Sequence, residues 1–163
     1  MALEIERKFL VANDDWKNSV VRSVRIRDGL IANNKGHKAR VRIANDIATI
    51  ALKSRRSGLA RTEFEYAIPY SDAEEMLRTM CDGNVIDKVR HFVSHAGDIW
   101  QVDAYEGLLD GVVLAEIELT DADQRLTLPD WIGAEVTSDP KYRKVNMVAE
   151  RLVQPKSLDK ITL

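Results

Sequence analysis

Leu3-Glu4-Ile5-Glu6-Arg7-Lys8-Phe9-Leu10 is the stretch on which the reading of this chain turns. Charged and apolar residues alternate through it, Arg7 aside. Side chains two apart share a face of a β-strand. Glu4, Glu6 and Lys8 therefore line one side of a predicted strand, and Leu3, Ile5 and Phe9 the other. Neighbours on one face stand roughly 6–7 Å apart. Carboxylate oxygens are the ligands that hard divalent cations select, and an ammonium serves phosphate as a point charge. The solvated face of an edge strand reads the same way, so the rest of the chain decides between the two.

The same period of two recurs along the chain. Val20 to Arg27 alternates and is β-branched; the turn signal Asn33-Asn34-Lys35-Gly36 follows. His37 to Ile43 places Lys38, Arg40 and Arg42 on one face and Ala39, Val41 and Ile43 on the other. Further strands are predicted over 47–54, ending in Leu52-Lys53-Ser54, and over 61–66, where Arg61, Glu63 and Glu65 share a face. Ser71-Asp72-Ala73-Glu74 reads as a capping box opening a helix with the stripe Met76, Leu77 and Met80, ended by Asp82-Gly83. Strands resume over 85–93 (Lys88 and Arg90 on one face), 99–105 (carrying Asp103) and 112–119 (Glu116 and Glu118 on one face). The remainder reads as mainly helical, with Pro140 near the start of a helix through Tyr142, Val145, Val148 and Leu152.

Composition bounds the rest. The chain has 163 residues, enough for one domain with a sizeable core; we expect that domain over 1–153 and a loose tail over 154–163. Twenty-four basic and 26 acidic side chains leave a net charge of −2, which argues against a general nucleic-acid binder but permits segregated patches of both signs. The single cysteine, Cys81, excludes an internal disulfide and suits a reducing compartment. No stretch is apolar enough to span a membrane, and no signal-peptide pattern opens the chain, so a cytoplasmic protein is expected.

Eight strands with few helices suggest an α+β fold in which an antiparallel sheet closes into a barrel, abolishing exposed edges. One face of most strands is charged. Ordinary antiparallel sheets would turn that face to water. Yet the opposite faces, such as Val113, Ala115, Ile117 and Leu119, are apolar enough to lie under helices. A closed eight-stranded barrel with a charged interior and helices packed outside satisfies both.

These residues together resemble a known family. Glu4-Ile5-Glu6-Arg7-Lys8 matches the E-x-E-x-K signature of the CYTH superfamily, the triphosphate tunnel metalloenzymes. Arg40-Val41-Arg42 resembles its R-x-R strand, Leu52-Lys53-Ser54 its lysine strand, and Arg61-Thr62-Glu63-Phe64-Glu65 its R-x-E-x-E strand. Lys88-Val89-Arg90 resembles its K-x-R strand, and Glu116-Ile117-Glu118 its E-x-E strand. One such motif is weak; six in the same order are strong. The family holds inorganic triphosphatases, thiamine triphosphatases and class IV adenylate cyclases, and the resemblance implies a tunnel-shaped barrel of eight antiparallel strands.

The resemblance implies a site of two halves. Lys8, Arg40, Arg42, Lys53 and Arg90, with Arg61 less decided between phosphate and its own carboxylates, would cradle phosphates, since guanidinium binds phosphate in bidentate fashion. Glu4, Glu6, Glu116 and Glu118, with Asp103 and Glu63, would hold Mg²⁺ or Mn²⁺. Lys88 would orient or help deprotonate the attacking water. The expected activity is metal-dependent hydrolysis of inorganic triphosphate; the alternatives are cyclisation of ATP and polyphosphate binding without turnover. A small-molecule triphosphate is the expected partner, and such barrels also dimerise. Two departures from the family pattern stand out. Asp28-Gly29-Leu30 stands where many members have Q-G-Y, and Lys144 stands two residues after Tyr142 where an asparagine is common. Trp16, Trp100 and Trp131 are expected to pack the shell, and His91 and His95 to lack the partners of a zinc site.

Overall fold

The computed structural model describes residues 3–153; the expected tail over 154–163 lies outside the described residues. Strands form wherever the sequence alternates: β1 (Leu3–Val11), β2 (Val20–Asn34), β3 (His37–Ala44), β4 (Ile47–Lys53) and β5 (Ala60–Ala67). Then come α1 (Tyr70–Thr79), β6 (Val85–His95), β7 (Asp98–Glu106) and β8 (Val113–Glu118). A ninth strand, β9 (Ile132–Glu135), and the helix α2 (Lys144–Val153) complete the chain. All pairings are antiparallel, in the order β5-β4-β3-β2-β6-β7-β8-β1-β9. The first half of β1 also pairs with β5, Glu4 opposite Arg61, which closes β1 to β8 into a ring. Closure leaves no unpaired edge in the ring.

Two local expectations fail. β9 lies in the stretch read as mainly helical; it is too short to show a period and is held by pairing along the end of β1. The Ser71 capping box does not form: α1 starts two residues earlier, at Tyr70 after Pro69, with no side-chain cap. Proline fixes φ for that entry, and Ser71 falls inside the first turn. At Asn13 the expectation is nearer the mark: its Oδ1 accepts from the Asp15 amide at 2.9 Å, before a 3-10 turn over Asp15–Ser19.

Apolar faces decide how the ring is covered. Phe9, Trp100, Val102, Ala115 and Ile117 form one cluster outside β1, β7 and β8, joined by Trp16 and Trp131. Val41, Ile43 and Ala48 pack under Ala73 and Leu77 of α1. Ile86, Tyr105, Leu109 and Leu114 receive Met147 and Val148 of α2, at the end of the barrel where β6 begins and β7 ends. α1 lies outside the strand ring, whereas α2 lies across one end of it and its first turn lines the interior. Burying each of these large side chains contributes about 1.5–3 kcal/mol, so the apolar shell, not the polar interior, holds the barrel. Among the described residues no helix is long and apolar enough to cross a membrane.

Candidate active site in the barrel interior

The charged faces turn inward onto a cavity of about 570 Å³. Eleven lysines and arginines and six carboxylates line it. All of Lys8, Arg40, Arg42, Lys53, Arg61 and Arg90 are among them, as are Glu4, Glu6, Glu63, Glu116 and Glu118. Asp28, Lys38, Arg55, Arg56, Arg143 and Lys144 also line it, although the sequence did not mark them as members of the site. Lys38 shared the alternating face of Arg40 and carried that signal. Arg55 and Arg56 sit in a loop and Lys144 at a helix start, where no period of two marks an inward side. Two expected members stand elsewhere: Lys88 and Asp103 are not part of the lining, and both are wholly buried.

Most of the ion pairs are cross-strand neighbours, the natural unit of contact in a sheet. Arg61 Nε donates to Glu4 Oε2 at 2.8 Å, and the two residues are register partners. Lys53 Nζ lies 2.8 Å from Glu63 Oε2 and 3.8 Å from Glu4 Oε2. Lys8 Nζ lies 3.6 Å from its register partner Glu116. Arg42 donates twice to Asp28, at 2.6 and 2.8 Å. Arg90 donates twice to Asp103, both at 2.8 Å, while Lys88 Nζ donates to the same carboxylate at 2.7 Å. Arg40 meets Glu65 at 3.2 Å, and its buried Nε has no partner among the described residues.

The carboxylates divide by electrostatic setting. Burial pushes Glu4 up, but Lys53 and Arg61 outweigh it and hold it below the ordinary range. Burial is likewise overcome at Glu116 by Lys8 and Arg90, and at Asp103 by Lys88 and Arg90, so both stay ionised. Glu6 behaves oppositely: burial raises it, and Glu116 and Glu4 raise it further. Glu118 is raised by burial and by Glu4, and it forms no ion pair among the described residues. Glu6 and Glu118 are register partners on β1 and β8. A pair of carboxylates held up by each other's neighbours is a place where a cation relieves repulsion, so this donor set fits a hard divalent ion. Among the described residues no three His, Cys, Asp or Glu side chains already converge as a closed cage.

The cations carry their own strain. Burial, then Arg40 and Arg61, lower Lys53 to about 8. Burial, then Arg61 and Lys144, lower Lys38 to about 8. Complete burial drives Lys88 well below the ordinary lysine range in spite of Asp103. A cavity in which cations crowd one another is prepared for a polyanion, whose charge offsets that repulsion. The histidines do other work. Trp16 stacks on His91, whose Nδ1 meets Ser23 Oγ at 2.7 Å.

A closed eight-stranded ring with an inward E-x-E-x-K strand and a cationic interior defines a triphosphate-tunnel fold. The CYTH domain family model matches residues 2–149, and the chain belongs to that family. It is similar to an inorganic triphosphatase of Acetivibrio thermocellus, 42% identical over 148 residues, covering 91% of this chain and 94% of that one. An inorganic triphosphatase of Nitrosomonas europaea is 33% identical over 144 residues, 86% of this chain and 93% of that one. Among solved structures, that of an inorganic triphosphatase superposes with a TM-score of 0.67 at 28% identity, covering 91% of this chain and 95% of that one.

Proposed function

We propose that this protein is a divalent-metal-dependent hydrolase that cleaves inorganic triphosphate within the barrel. The observation that carries the reading is the cavity itself: cations and carboxylates line one space inside the barrel, with the carboxylates Glu6 and Glu118 as register partners on its wall. Both relatives named above are inorganic triphosphatases. The polar lining offers only Leu30, Ile86, Val145 and Val148 as apolar side chains, and no aromatic ring among the described residues. A nucleoside wants an apolar or stacking surface, so the unadorned triphosphate fits better than ATP.

Lys8, Arg40, Arg42, Lys53, Arg61 and Arg90 would bind phosphate oxygens, exchanging carboxylate partners for phosphate. Glu4, Glu6, Glu116 and Glu118 would hold Mg²⁺ or Mn²⁺, with Glu63 at the margin; such an ion takes one or two carboxylates and completes its shell with water and phosphate oxygens. When bound, it supplies charge neutralisation and activation of water. Phosphoryl transfer needs positioning and charge stabilisation above all. Asp103 holds Arg90 and Lys88 in place. Lys88 donates to Asp103 at 2.7 Å from behind the cavity wall, and we assign it the role of orienting, or helping to deprotonate, the attacking water that the family's K-x-R lysine implies. We place the reaction in the cytoplasm, a reading supported by the free, buried thiol of Cys81.

The test is release of phosphate from inorganic triphosphate with Mg²⁺ or Mn²⁺ and with chelator, ATP running in parallel. Metal-dependent release from triphosphate, falling about 100-fold in Glu6→Gln, is the expected result. Cyclic AMP from ATP, or tight binding with no product, would overturn it.

A further inference from the structure

The loop that joins β4 to β5, residues 54–59, puts Arg55 and Arg56 on the cavity wall. Its backbone is held by bonds of its own. The Ser54 amide donates to the Thr62 carbonyl at 2.9 Å, and Ser57 and Ala60 exchange amide bonds at 2.8 and 3.1 Å. The Arg56 fork has two anchors. Nη1 donates to the Leu59 carbonyl at 2.9 Å, inside the same loop, and Nη2 donates to Glu6 Oε1 at 2.9 Å, across on β1.

The second anchor stands where strand pairing runs out. β1 pairs with β5 only from Leu3 to Ile5, so at Glu6 the loop takes the place of a strand beside it. There the Glu6 amide donates to the Leu59 carbonyl at 3.4 Å. Among the described residues Arg56 makes the one ion pair of Glu6, at 2.9 Å. Glu118, opposite Glu6 on β8, makes none among them. The cations on the neighbouring carboxylates differ in kind. Lys53 and Arg61 at Glu4, and Lys8 and Arg90 at Glu116, come from strands, and their side chains are 9, 14, 16 and 11% exposed. Arg56 comes from a loop and is 26% exposed.

A guanidinium and a divalent cation drawn to one carboxylate repel each other, so one leaves when the other arrives. Leaving costs Arg56 little. Its Leu59 anchor and the loop backbone stay intact, and water already reaches its side chain. A buried guanidinium would be left unpaired by the same step.

We propose that Arg56 is a latch on Glu6 that competes with the divalent ion: its guanidinium keeps metal from the Glu6–Glu118 corner until an ion displaces it onto its own loop. The proposal rests on the metal-dependent reading above, which assigns Glu6 to the ion and gives Arg56 no part. It separates three roles for this arginine. Removing a latch tightens metal binding, removing a residue that positions Glu6 weakens it, and removing a remote charge acts no differently from removing Arg55.

Titration of the chelator-stripped protein with Mn²⁺, without triphosphate and read from the electron paramagnetic resonance of free Mn²⁺, tests this on wild type, Arg56→Gln, Arg56→Lys and Arg55→Gln. Losing one charge-assisted bond to Glu6 should make Arg56→Gln bind Mn²⁺ about tenfold tighter. Arg56→Lys keeps a competing cation and should stay within about threefold of wild type. Arg55 lines the same cavity and meets no carboxylate among the described residues, so Arg55→Gln, with the same change in net charge, should also stay within about threefold. Both arginines sit in the loop, outside the apolar clusters, so these exchanges leave the fold intact. Unchanged or weaker Mn²⁺ binding in Arg56→Gln, or equal tightening in Arg55→Gln, overturns the proposal. Mn²⁺ that binds none of the four proteins, while phosphate release from triphosphate still needs metal, overturns the latch and leaves the hydrolase reading standing. Phosphate release that persists in chelator overturns both.

Discussion

Replacing Asp103 by Asn perturbs the most heavily engaged carboxylate in the barrel. Asp103 is wholly buried and accepts three charge-assisted hydrogen bonds, one from Lys88 at 2.7 Å and two from Arg90 at 2.8 Å. Asparagine keeps one acceptor oxygen and turns an amide toward a cation. Removing one partner of a buried ion pair costs about 3–5 kcal/mol, because the other charge stays behind unpaired. Two features hold the cost near the lower end. Arg90 retains Glu116 at 3.6 Å, and Lys88, already pushed down by burial, can lose its proton. The loss should therefore be about 3 kcal/mol. At about 2–4 °C per kcal/mol for a chain of this size, the thermal midpoint should fall by about 6–12 °C. Urea unfolding at pH 7 in phosphate-free buffer measures it, and Lys88→Met is the companion variant. That exchange leaves the Asp103–Arg90 pair intact and removes an ammonium that burial penalises, so it should cost less than Asp103→Asn while lowering kcat more than it raises KM. A loss under about 1 kcal/mol for Asp103→Asn, or an equal loss for both variants, would refute the assignment of this stability to burial and pairing at Asp103.

Alkaline pH should move stability and affinity in opposite directions. Lys38 and Lys53 titrate at about 8 in the folded barrel, below their ordinary value, so between about pH 8 and 10 the unfolded chain holds more protons. The ligand-free protein then gains stability as pH rises through that window, while triphosphate affinity falls as the ammoniums are lost; thermal midpoints and calorimetry at pH 7.5 and 9.5 check both, and parallel trends would be wrong. At Gly29 a Cβ would stand 2.5 Å from Cys81 Sγ and 2.7 Å from Leu77 Cδ2. Gly29→Ala should cost about 1–3 kcal/mol by overpacking α1 against β2. Pairing it with Cys81→Ala should recover part of that loss in urea unfolding, and no recovery would mean the clash lies elsewhere.

How much of this was legible in the residues differs by level. Which side chains face the interior follows from a period of two, a property of the strand backbone itself. The inward placement of Glu4, Glu6 and Lys8, of Arg40 and Arg42, and of Glu116 and Glu118 could thus be read directly. So could the apolar shell, since Val113, Ala115 and Ile117 alternate with those charges. Local turn chemistry was legible at Asn33-Asn34-Lys35-Gly36 and misleading at Ser71, where Pro69 moved the helix start.

Depth and partnership were decided only by closure of the ring. Alternation places Lys88 and Asp103 on inward faces, but not behind the cavity wall. They are buried there because Arg90 and its register partner Asp103 meet side by side. Nor does any local pattern join Asp28 to Lys144, which lie 116 residues apart and touch because the chain crosses from β1 to the opposite wall. A sequence period specifies direction from the local backbone, whereas the neutralisation of one buried charge by another depends on distances that exist only once β1 has paired with both β5 and β8.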